Sequence, residues 1–136
     1  MSHIRVLVLA TLSLLTGGAL LFYLIGNVPP TTDDQSLNPA ALLLGLAGVF
    51  LVAAGAGIVA ALLLHRRWPV LAGRQTVRRG RSKVPPTAAA IRQGILCALV
   101  VVTLVTLSIA RSLDIAFLIV TFLVAGLIEA YAQTRK

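Results

Sequence analysis

Four long apolar runs make up most of this chain, and short polar segments separate them. The runs cover about residues 4–26, 39–64, 88–110 and 113–132. A helix that crosses the hydrocarbon core of a bilayer needs about 20 apolar residues, and the four runs are of that length. Because a chain in lipid must satisfy its own backbone polar groups, each run is expected to be a helix. The pattern predicts an all-α integral membrane bundle of four transmembrane helices.

The polar segments between the runs predict how the helices are connected. The first connection is the proline loop (residues 27–38), and it ends in Asn38 followed by Pro39, a typical helix start. The second is the basic loop (residues 65–87), whereas only two residues separate the third run from the fourth. We therefore expect two antiparallel hairpins within a single transmembrane domain that occupies residues 1–136.

The first run has a second interpretation, because Arg5 followed by an apolar core is also typical of a secretory signal peptide. The apolar stretch continues past Gly17 and Gly18 as far as Ile25. Since the apolar region of a signal peptide is usually about 7–15 residues long, an uncleaved span is favoured.

Basic residues are distributed unevenly around these spans. The chain has 136 residues, 58% of them apolar, with 12 Lys and Arg against 4 Asp and Glu. Arg111 is the one basic residue of the twelve that does not fall at either terminus or between residues 66 and 92. Because cytoplasmic segments retain Lys and Arg, this distribution predicts that both termini and the basic loop are cytoplasmic and the proline loop is outside. A multi-pass protein of a cell membrane is expected, and the composition favours a bacterial inner membrane.

The basic loop also suggests a contact with lipid. Clusters of four to eight basic residues beside a span are typical of binding to anionic head groups, at about 1 kcal/mol each. A protein partner with an acidic face is the alternative. Nucleic acid is not expected, because Trp68 is the only aromatic residue of the loop on which a base could stack. The residues predicted to contact anionic lipid are Arg66, Arg67, Arg74, Arg78, Arg79, Arg81 and Lys83.

Small residues recur in the second run, many of them four positions apart. Small side chains at that spacing let helix backbones approach closely, which drives association where lipid provides no hydrophobic contrast. The second helix is therefore predicted to be either the centre of the bundle or a dimer face. The predicted packing residues are Gly45, Gly48, Ala53, Gly57 and Ala61.

Glu129 is the acidic residue that the pattern places well inside a span. If the last two runs fold back on each other at residues 112–113, Glu129 lies opposite Leu96, and Arg92 is one turn away. Arg92 and Gln93 are therefore predicted to form an interhelical polar clasp with Glu129, and an ion or proton pathway is the alternative. A second pair, Arg111 with Asp114, is expected at the turn between these runs.

The remaining residues give little sign of catalysis. A single cysteine, Cys97, excludes an intrachain disulfide and a cysteine-based metal site, and two histidines alone do not make a metal site. No serine, histidine and acid are placed to form a nucleophile, so neither catalytic residues nor a cofactor are expected. The expected function is a non-enzymatic accessory or assembly subunit of a membrane complex, whose partners are membrane lipids and other subunits or further copies of itself. The alternative is a small homo-oligomeric channel or transporter.

Overall fold

The protein consists of four α-helices in the part of the chain that the structure describes. The computed structural model describes residues 3–29, 31, 36–67 and 86–134, and for residues 3, 66, 86 and 133 it describes the backbone alone. The helices are α1 (His3–Asn27), α2 (Pro39–Arg67), α3 (Pro86–Ile109) and α4 (Ile115–Thr134). Each is long and apolar enough to cross a membrane. The predicted all-α fold with four candidate spans is confirmed.

The start of α2 follows from its capping residue. The Asn38 side-chain oxygen accepts hydrogen bonds from the backbone N–H groups of Ala40, at 3.1 Å, and Ala41, at 3.3 Å. These bonds satisfy two of the N–H groups that a helix leaves unpaired at its first turn. Just before the cap, an antiparallel β-bridge between Thr31 and Leu37 brings the two sides of the proline loop together.

α3 ends in a Schellman turn at Arg111. The Ser112 N–H donates to the Leu107 carbonyl at 3.0 Å, and the Arg111 N–H donates to the Ser108 carbonyl at 3.1 Å. These are the two bonds that define the motif, which usually places glycine at the position Arg111 occupies. Arg111 has a φ of 54°. This left-handed conformation costs a non-glycine residue roughly 1–2 kcal/mol.

α2 lies between α1 and α3 and packs closely against both. Gly55 faces the Ala10 backbone of α1, whereas Gly57 faces Gly94 of α3. Two different faces of α2 are therefore in use. Of the two roles predicted for its small residues, the centre of the bundle is the one seen in this chain.

α4 is much less closely packed than the other three helices. Among the described residues, it contacts only α3. The half-buried positions of α4 form one stripe along the helix, consisting of Thr121, Ala125, Glu129 and Ala132. No residue of its candidate span is fully buried. The bundle therefore has a close-packed core of three helices and a fourth helix attached along one side.

Candidate functional site

A three-residue polar cluster joins α4 to α3. Arg92 donates from Nε to Oε2 of Glu129 at 2.9 Å and from Nη2 to Oε1 at 2.7 Å. Gln93 adds a longer bond from Nε2 to Oε1 of Glu129 at 3.3 Å. The structure thus brings together the three residues proposed as an interhelical clasp.

The geometry of the pair is the favourable one for an arginine and a carboxylate. Two parallel N–H···O bonds fix the two planar groups relative to each other and strengthen the contact. The Arg92 side chain is 28% exposed and the Glu129 side chain 18% exposed, so the pair is largely but not fully shielded. In a membrane span, pairing reduces the cost of placing either charge at depth.

Local structure explains how the cluster forms. Glu129 belongs to the half-buried stripe of α4, which is the side that faces α3. Arg92 and Gln93 are half-buried in the second turn of α3, which begins at Pro86. Because the connection between α3 and α4 is short, the registers of the two helices are fixed relative to each other. Glu129 therefore meets the second helical turn of α3.

Two of the predicted packing glycines lie at close helix contacts. A Cβ added to Gly48 would come within 2.9 Å of the Leu21 side chain, and one added to Gly57 within 3.0 Å of the Gly94 Cα atom. Ala61 is buried and Ala53 is half-buried. Gly45 differs, because an added Cβ would have no neighbour within 4 Å. Gly45 therefore does not make a close helix contact in this chain.

Sequence reasoning missed the matching residues on α3. Ala90, Gly94 and Ala98 are all buried, and a Cβ on Gly94 would come within 3.0 Å of the Ala54 carbonyl oxygen of α2. Their spacing of four residues is the same small-residue signal that drew attention to α2. The signal was present on α3 but was obscured by the bulky Leu and Val residues around it.

Ser13 forms an interhelical hydrogen bond that the sequence did not single out. Its Oγ donates to the Leu51 carbonyl of α2 at 2.8 Å. By contrast, the hydroxyl of Thr16 donates within α1 to the Leu12 carbonyl at 2.8 Å. Both choices satisfy a hydroxyl in an apolar setting, and only the position of the neighbouring helix decides between them.

The ion pair expected between Arg111 and Asp114 is not formed. Both residues belong to the described part of the chain. The salt bridge observed among the described residues joins Arg92 to Glu129. Asp114 instead accepts the Ile115 backbone N–H on Oδ1 at 2.7 Å, at the start of α4. The Schellman turn at Arg111 redirects the chain between the two residues, so their closeness in sequence does not bring the two side chains together.

His65 is a buried polar residue at the end of α2. Its exposure is 8%, and within the described residues its Nδ1 atom has no hydrogen-bond partner. A buried group without a partner costs about 1–3 kcal/mol. No group of three or more possible metal ligands surrounds it or any other site in the described ranges.

Most of the residues predicted to contact lipid lie outside the described part of the chain. These undescribed residues are Arg74, Arg78, Arg79, Arg81 and Lys83. Arg67, at the end of α2, is exposed. For Arg66 the backbone is helical. The lipid contact of the basic loop therefore stays a prediction.

Comparison of the chain with protein-family models, with curated proteins and with solved structures finds no match.

Proposed function

We propose that this chain is a non-enzymatic accessory or assembly subunit of a membrane protein complex, and that α4 is the helix that meets the partner. The supporting observation is that, within the described residues, α4 packs on α3 alone and leaves a small-residue face open. Gly126 and Ala130, four residues apart, are both exposed, and a Cβ added to Gly126 would have no neighbour within 4 Å. Such a face admits the backbone of another helix.

The Arg92–Glu129 pair fits this role. Because α4 has few other contacts with the bundle, the pair and the half-buried stripe hold it in one rotation about its axis. That rotation keeps Gly126 directed away from α3. In this proposal the polar cluster is structural, and it presents α4 to the partner instead of carrying ions or protons.

We further propose that the bundle consists of two antiparallel hairpins in a bacterial inner membrane, with both termini in the cytoplasm. The distribution of Lys and Arg supports this orientation. The basic loop then lies against the anionic head groups of the cytoplasmic leaflet.

Site-specific photo-cross-linking in the native membrane tests the role of α4. Leu123 on α4 and Leu12 on α1 are both 58% exposed, so a cross-linking residue at either position samples the surroundings equally well. We expect position 123, and not position 12, to give a discrete adduct with a second polypeptide, and Gly126→Leu to abolish it. Native mass spectrometry of the gently extracted protein should show the same hetero-complex. A clean homo-oligomer with only self-adducts would instead favour a channel or transporter.

Cysteine labelling tests the orientation. In a Cys97→Ala background, Ser36→Cys should react with a membrane-impermeant maleimide in intact cells. Gln75→Cys should react only after the membrane is opened. The reverse pattern would refute the proposed topology.

A further inference from the structure

An apolar groove of about 570 Å³ opens between α1, α2 and α3, at the end of the bundle next to the proline loop. Small-molecule sites have volumes of about 300–1,000 Å³, so the groove is large enough to hold a ligand. α2 lines it with a straight stripe that includes Ala41, Gly45 and Val49, and α3 contributes Val105 and Ile109. Residues four apart on a helix lie above one another, so the groove runs along the helix axes.

The groove coincides with a change in the residues that face each other between α2 and α3. In the other half of the membrane span, Gly57 and Gly94 bring α2 and α3 into close contact. Towards the proline loop, larger side chains such as Leu46 and Val105 occupy the facing positions. Gly45 lies in this half, where it lines the groove and makes no close contact. Gly48 differs because it faces Leu21 of α1 instead of the groove.

The length of the groove along the helix axis corresponds to the thickness of one leaflet. Ala41 and Val49 are eight residues apart, which is about 12 Å at 1.5 Å per residue. Half of a hydrocarbon core of about 30 Å is about 15 Å. A transmembrane helix would have to cross the whole thickness, whereas an acyl chain enters from one leaflet and ends near the midplane. The groove therefore fits an acyl chain better than a partner helix.

The residues that line the groove also favour an acyl chain as its occupant. Of the described residues, Asn38 is the one polar residue that lines it, and its side-chain oxygen already accepts two backbone N–H groups of α2. An occupant with polar groups inside the groove would leave those groups poorly satisfied, which is costly. A saturated or unsaturated hydrocarbon chain has no such requirement.

A basic residue follows the part of α3 that lines this groove. Arg111 follows Ile109 by two residues, is exposed, and has no ion pair with Asp114. Guanidinium groups bind phosphate oxygens through paired hydrogen bonds. We propose that the chain holds one phospholipid from the leaflet beside the proline loop, with an acyl chain in the groove and the phosphate on Arg111. Arg111 also has a left-handed φ of 54° at a position that usually favours glycine, and backbone strain of this kind is found preferentially at functional sites.

Lipid binding to the isolated chain tests the proposal independently of any partner subunit. The purified protein is delipidated, and phosphatidylglycerol in detergent is titrated while native mass spectrometry counts the bound lipids. We expect one tightly bound lipid on the wild type, and at least a tenfold weaker affinity for Gly45→Phe, whose ring fills the groove. Gly18→Phe is the matched control, because Gly18 is also in open space but does not line the groove. It should bind lipid as the wild type does.

The head group is tested separately. Arg111→Gln should weaken phosphatidylglycerol binding about tenfold, as expected for the loss of a charge-assisted hydrogen bond. Diacylglycerol, which lacks the phosphate, should bind the wild type as weakly as phosphatidylglycerol binds this variant. Ala41→Phe, which narrows the groove one turn nearer its mouth, replaces Gly45→Phe if circular dichroism shows that the latter has lost its helical content. Wild-type affinity in a folded groove variant would overturn the acyl-chain site. Equal binding of diacylglycerol would overturn the assignment of the phosphate to Arg111.

Discussion

Exchanging the charges of Arg92 and Glu129 gives the sharpest test of how α4 is held. Arg92→Glu places two carboxylates together, and Glu129→Arg places two guanidinium groups together. The double variant restores one charge of each sign at the same contact. We expect each single variant to destabilise the protein and the double variant to recover much of the loss.

The structure sets the size of the effect. Exposed ion pairs contribute about 0.2–1 kcal/mol, whereas breaking a fully buried pair costs about 3–5 kcal/mol. With side chains 28% and 18% exposed and two hydrogen bonds at 2.9 and 2.7 Å, this pair lies between those limits. We expect a coupling free energy of about 2 kcal/mol, within the range of about 0.5–3 kcal/mol for directly contacting residues.

The assay is reversible unfolding in mixed micelles, in which the free energy of unfolding is measured for the wild type, both single variants and the double variant. Arg92→Gln and Arg5→Gln form a control pair, because each removes one basic residue and only the first removes the contact. Arg5 is exposed on α1. Arg5→Gln should leave stability within about 0.5 kcal/mol of the wild type.

Two outcomes would refute this reasoning. A coupling free energy below about 0.5 kcal/mol would mean that the pair does not hold α4. A loss of stability in Arg5→Gln equal to that in Arg92→Gln would mean that the effect comes from altered topology. In either case the proposed presentation of α4 by this pair would have to be abandoned.

Three further predictions concern helix packing and the turn between α3 and α4, and each is checked by thermal unfolding in detergent. Gly94→Ala should destabilise the protein by about 1–3 kcal/mol, because the added Cβ meets the α2 backbone. Gly126→Ala should leave stability unchanged or raise it by up to about 1 kcal/mol, because Gly126 is in open space. Equal effects of the two substitutions would contradict the close contact at Gly94. Ser13→Ala should cost about 0.6 kcal/mol through the lost interhelical bond, and Thr16→Ala, which loses only a bond within its own helix, should cost less; the reverse order would count against the Ser13 bond. Arg111→Gly should raise stability by roughly 1 kcal/mol by relieving the left-handed strain, and a decrease would show that the arginine side chain contributes more than its backbone costs.

Part of the candidate site could be predicted because chain length constrains it. The short turn after α3 allows little freedom in register, so the positions of Arg92 and Glu129 along their helices predicted that they would meet. The pair expected between Arg111 and Asp114 did not form. That expectation rested on their closeness at the turn, and the left-handed residue there changes the direction of the chain.

The small residues show a second limit of prediction. Gly45, Gly48 and Gly57 look alike in the sequence, yet Gly48 and Gly57 lie at close contacts and Gly45 opens onto the groove. Spacing shows that a helix can be approached closely. It does not show where along its length a neighbour does so.

By itself, the sequence determined the number of helices, their approximate bounds and the start of α2 at Asn38. Length, apolar content and capping chemistry act within one segment, and the cost of unsatisfied backbone groups in lipid leaves the helix as the available structure. Only the tertiary structure decided that α2 lies between α1 and α3 and that Ser13 bonds across helices. It also decided that α4 packs, in the described part of the chain, against α3 alone. The reason is that lipid tails and protein interiors are about equally apolar, so a hydrophobic pattern does not tell which face of a membrane helix is buried. That choice depends on the steric fit of helix surfaces, which exists only once the helices are packed.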